Sequence, residues 1–132
     1  MPESTAPSKT TTDGLRTDLQ PLLSRFGALD SALSAVWCAG TLGDGRAPGP
    51  STYWIDAVVV VDAARAQSWR SLPGLAPAVD APTVHPELTD QLPAGPLMTG
   101  PELDSLLSQD GFVTTAYLSQ TTDQVVIVAV GQ

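Results

Sequence analysis

Four side chains have the types that could do chemistry together: Trp54 and Asp56 in "YWIDAVVVVD", His85 in "PTVHPE" and Tyr117 in "FVTTAYLSQ". A carboxylate beside an indole, held away from water, would have a raised pKa and could act as a general acid. Strand alternation places Trp54, Asp56, Val58, Val60 and Asp62 on one face, and Tyr53, Ile55, Ala57, Val59 and Val61 on the other. The second set is wholly apolar and reads as core. Asp56 is therefore expected to point away from the main core. On an open sheet face it would discourage strand-to-strand aggregation, or contact a ligand or partner.

The other reactive types are thinly spread. His85 is the only histidine, between prolines in a loop, whereas a Ser-His-Asp arrangement needs the ring held by packing and oriented by a carboxylate. Cys38 is the only cysteine, so the chain makes no internal disulfide, and its apolar strand marks it as a small buried hydrophobe. One histidine and one cysteine do not supply a zinc site. "GTLGDG" lacks the lysine and hydroxyl of a phosphate-binding loop and opens no helix as a dinucleotide fingerprint would. "DGRAPGPST" lacks the alternating oxygen ligands of a calcium loop. No catalytic residue, metal ligand or cofactor is assigned.

These residues must be positioned by elements that the pattern outlines. In "GLRTDLQPLLSRFG", Leu15, Leu19, Leu22, Leu23 and Phe26 share a helical face. Asp13 or Asp18 is the expected cap. Pro21 does not suit a helix interior, so the helix is expected to start near Asp18 or to kink at Pro21, and to stop at Gly27. "SALSAVWCAGTL" alternates as a strand with both faces partly covered, and Tyr53–Val61 is the strongest strand, paired antiparallel with it. Asp62 fits an N-cap for "AARAQSWRSL", with Trp69 docking that helix onto the sheet. Thr99 and Glu102 have the spacing of a capping box for a helix with Leu103, Leu106 and Leu107 inward. "FVTTAYLSQ" and "QVVIVAV" form a terminal hairpin around "TTD".

The expected architecture is one α+β domain over residues 14–132, after a flexible polar leader at 1–13. Residues 73–100 hold six of the twelve prolines and read as an irregular connection, with room for one short helix at "PELTDQL". The order helix, strand, loop, strand occurs twice, an αββ-αββ pseudo-repeat. Two hairpins would join as a four-stranded antiparallel sheet with helices on one face. The face carrying Trp54 and Asp56 then has two coverings open to it: a partner, or the Pro-rich connection.

Six basic residues stand against fourteen carboxylates, a formal net charge of −8. Such a surface repels phosphate backbones and anionic membranes, which argues against nucleic acid as a partner; it suits plain solubility first, or a basic partner. The apolar run Ala57–Val61 is too short to span a bilayer. The opening "MPESTAPSKTTTDG" fits a loose cytoplasmic end, or the spacer behind a lipidated or cleaved N-terminus.

The stretch "GTLGDGRAPGPSTYWIDAVVVVD", with a Thr/Pro/Ser-rich leader and little lysine, resembles small uncharacterised proteins of high-GC actinobacteria. In these a leader, often behind a lipobox, precedes a compact α+β domain. The resemblance implies an extracytoplasmic domain. The chain shows no lipobox cysteine. The leading functional expectation is a non-enzymatic interaction domain recognising a protein partner or a second copy of itself, through Trp54, Asp56 and the "GDGRAPGPS" loop. One alternative is a small enzyme or small-molecule binder with a pocket between sheet and Pro-rich segment, lined by Asp56, His85 and Tyr117. Another is an inhibitor or immunity-type protein whose acidity complements a basic target.

Overall fold

The computed structural model describes residues 9–11, 15–29, 32–42, 53–79, 82, 84–93, 95–108 and 112–131. In chain order the elements are β1 (Lys9–Thr11), α1 (Gln20–Arg25), β2 (Ala32–Leu42), β3 (Tyr53–Val61), α2 (Ala63–Arg70), β4 (Ala76–Pro77), α3 (Pro86–Thr89), β5 (Leu97–Thr99), α4 (Pro101–Leu106), β6 (Phe112–Ser119) and β7 (Gln124–Gly131). They build one antiparallel sheet of seven strands in the order β1-β2-β3-β7-β6-β5-β4.

This corrects the expected four-stranded sheet with helices on one face. The long strands β2, β3, β7 and β6 occupy the centre, but β1, β5 and β4 extend the sheet at both edges. Those three span only two or three residues each, too few to show an alternation, and two of them lie in the Pro-rich connection. Lys9–Thr11, inside the expected leader, pairs with β2 from Gly40 to Leu42. Nor do the halves form a full repeat: α2, α3 and the short strands fall outside any shared unit.

The larger core lies on the face packed by α1, α2 and α4. Leu22 and Phe26, Ala66 and Trp69, and Leu103 and Leu107 meet Ile55, Ala57, Val59, Val61, Val125, Ile127 and Ala129 there. The face that read as core in β3 is this one. Asp62 caps α2, its Oδ1 accepting the Arg65 N–H at 2.7 Å. The other expected caps differ. Leu19, not Asp18, precedes α1 without a side-chain cap, because Asp18 is taken by Arg16, whose Nε and guanidinium donate to it at 3.1 and 2.6 Å. Gly100 precedes α4, because Thr99 is already in β5. A Cβ at Gly100 would stand 2.9 Å from the Gly74 carbonyl oxygen, so this close crossing of two chain segments requires glycine.

Helix α4 also finishes an edge. Strand β5 leaves β6 after Leu118, and the outer N–H groups of Thr114 and Ala116 meet side chains instead of a strand. Ser108 Oγ accepts from Thr114 at 3.1 Å and Asp104 Oδ1 accepts from Ala116 at 2.9 Å. At the far end Arg70 closes the β6–β7 turn: its Nε donates to the Ser119 carbonyl at 3.2 Å, and its guanidinium reaches the Thr122 carbonyl. Among the described residues no helix is long and apolar enough to cross a membrane.

Candidate functional site

The register assembles the second face. Asp56 lies between Cys38 of β2 and Val128 of β7, Val58 lies between Val36 and Val126, and Val126 pairs onward with Tyr117 of β6. Trp54, Asp56 and Cys38 are fully buried on this face, with Val58 and Val126. Asp56 therefore lies on the second face, as alternation placed it, but not on an open, wet one. Of the two coverings open to that face, the Pro-rich connection is the one present, with Leu88 packed against Trp54.

The covering segment is a strap, Val84–Pro93, built around the single turn of α3. His85 stands before Pro86, where proline disfavours a helical residue and suits a helix start. The His85 carbonyl accepts the Leu88 N–H at 2.8 Å, which closes the turn and swings Leu88 toward the sheet. Leu88 is fully buried among Cys38, Trp54, Val58 and Val126, with Val84 and Leu92 packed around it. The loop that carries the strap is clamped at its base, where β4 pairs with β5 and Ala78 N–H donates to the Leu97 carbonyl at 2.8 Å.

Asp56 and His85 join strap to sheet. Oδ2 of Asp56 accepts the His85 backbone N–H at 2.8 Å. A carboxylate taken fully out of water needs such donors, since burial without them is far costlier than the bond is favourable. The His85 ring lies flat on the Trp54 indole, with centroids 5.6 Å apart and planes 8° apart. Of the four residues singled out in the sequence, the fold thus brings Trp54, Asp56 and His85 into direct contact. Tyr117 is half-buried at the margin of the same cluster, two strands away on β6.

Comparison of the chain with protein-family models, curated proteins and solved structures returned no match.

Function must therefore be read from geometry alone. The arrangement holds a lid on a sheet: one Asp56 oxygen is occupied by main chain, and the imidazole spends a face on Trp54. Among the described residues no three His, Cys, Asp or Glu side chains come together as a metal site. The "GDGRAPGPS" loop, Gly43–Ser51, lies outside the described residues. The sequence reading missed Leu88 as the strap's anchor. Its signal was the spacing of Val84, Leu88 and Leu92, four residues apart within a proline-rich stretch.

Proposed function

We propose that this chain is a non-enzymatic binding domain that recognises a basic protein partner. The observation that carries this reading is the Asp56–His85 contact. The carboxylate and the imidazole best suited to acid-base work are engaged in fastening the strap, at 2.8 Å through the main chain and flat against Trp54. The net charge of −8 supplies the partner's class, because complementary charge speeds encounter and suppresses wrong partners. Two copies each carrying a net charge of −8 repel one another overall, which argues against self-association.

Capture from an extract of the native host tests the proposal. The immobilised chain should retain a basic protein in stoichiometric amount at ~50 mM salt and release it progressively toward ~500 mM, as screening shortens the Debye length. An unrelated protein of equal negative charge should not retain it. If both columns retain the same proteins, charge alone is responsible and the reading fails. Light scattering should find the isolated chain monomeric.

A further inference from the structure

The strap resembles a ligand more than a layer of core. It contributes one helical turn, one fully buried anchor in Leu88, and partly buried flanks in Val84 and Leu92. It meets β2 and β3 through α3, while both of its ends return to the β4–β5 pair at the sheet's other edge. The larger core lies on the opposite face and does not include it. Gly95, at a φ of +91°, lies just past the strap and gives the chain a turn that other residues rarely adopt.

We propose that Val84–Pro93 is a displaceable occupant of the docking face, and that a basic partner's segment takes its place. This rests on the reading of the chain as a binding domain. The strap's own contacts specify the segment. It must put an apolar side chain where Leu88 sits, against Trp54, Val58 and Val126, and a donor on the Asp56 carboxylate where the His85 N–H now lies. A cationic donor meets the carboxylate with full charge complementarity, which the neutral amide does not. The displaced strap swings on its clamped base, and the rest of the sheet stays folded.

Cys38 is a built-in probe, since it is buried under the strap and is the chain's only thiol. Under native conditions a small thiol reagent should modify Cys38 faster than the Ala57 and Ile127 amides exchange, with a shallower urea dependence. Leu88→Ala should accelerate modification at least about tenfold, by the usual effect of truncating a buried leucine. Ile127→Val, on the other face, should speed amide exchange and leave Cys38 modification unchanged. If Leu88→Ala does not fold, Val84→Ala gives the same test at smaller amplitude. Modification of Cys38 that tracks the core amides in rate and urea dependence would overturn the proposal.

Occupancy is tested with two synthetic decapeptides, one alternating leucine with arginine and one alternating leucine with glutamate. The basic peptide should bind Leu88→Ala at least about tenfold tighter than wild type, because the competing strap is weakened. Adding Asp56→Asn to that variant should weaken binding again, and the acidic peptide should not bind. Equal binding to wild type and Leu88→Ala, or no binding to either, overturns the docking claim. A strap that never opens in a chain that still captures a basic host protein removes this proposal and leaves the functional reading intact. An opening strap in a chain that captures nothing removes the functional reading and the docking claim that rests on it.

Discussion

The Asp56 carboxylate accepts the main-chain N–H of His85 across 2.8 Å, and this bond joins the centre of β3 to a loop anchored at the far edge of the sheet. The residues stand 29 positions apart in the chain. A single buried acid thus fastens a proline-rich connection that Leu88 anchors by packing against Trp54, Val58 and Val126. Hydrogen bonds to charged acceptors contribute about 1.5–3 kcal/mol, and an abandoned buried donor costs about as much. Asp56→Ala should therefore lower unfolding free energy by about 2–4 kcal/mol in urea titration. Asp56→Asn keeps an acceptor oxygen and should lose less. A loss under about 0.5 kcal/mol for the alanine variant would show that the contact does not hold the strap.

The outer edge of β6 should be protected by two side chains acting as a pair. Asp104 and Ser108 accept from Ala116 and Thr114 in place of a neighbouring strand. Asp104→Ala with Ser108→Ala should cost about 2–4 kcal/mol, and the bared edge should promote concentration-dependent association. Asp104→Asn should retain most of the stability. Light scattering that finds the double variant as monodisperse as wild type would refute the guarding role.

Thr114 presents the opposite case. Its hydroxyl is buried and has no hydrogen-bond partner among the described residues, although its main-chain N–H is satisfied. Thr114→Val replaces the hydroxyl by a methyl of similar size and removes a desolvation cost without opening a cavity. Stability should rise by about 0.5–1.5 kcal/mol, read as a higher Tm. A fall of that size would mean that the hydroxyl is hydrogen-bonded in solution.

Arg16 and Asp18 form an exposed pair beside Trp37, with the Arg16 guanidinium 4.7 Å from the indole centroid and the Trp37 ring N–H donating to the Asp18 carbonyl at 2.7 Å. The hydrogen bonds from Arg16 hold the Asp18 carboxyl below its ordinary pKa of 3.8. The stabilisation is thus fully present above the ordinary value, and it is lost as pH falls through the lowered one. An NMR titration should find Asp18 titrating below 3.8 in wild type and returning toward that value in Arg16→Ala. High salt should shrink the difference, since the pair is open to solvent. An unchanged Asp18 midpoint in Arg16→Ala would exclude the pairing.

The long elements were legible because their signals are local. Tyr53–Val61 alternates β-branched and aromatic residues over nine positions, and Asp62 caps the helix after it from one position away. The three short strands were not legible. Two or three residues carry no period, and their pairing rests on neighbours distant in the chain, as Lys9 with Leu42 or Pro77 with Met98. Thr99 and Glu102 show the limit of a local rule, for the spacing of a capping box was present while β5 had already claimed Thr99.

By itself the sequence determined the apolar face of β3, the cap at Asp62, the strong negative charge and the set of residues with reactive types. These depend on side-chain alternation, on contacts within one helical turn and on composition, all properties of short stretches. Only the tertiary structure decided that Asp56 is buried and that His85 and Leu88 cover it. Alternation tells which side of a strand a side chain leaves by. What lies on that side depends on where the connection of residues 73–100 is laid down, and long-range packing against Trp54, Val58 and Val126 fixes that.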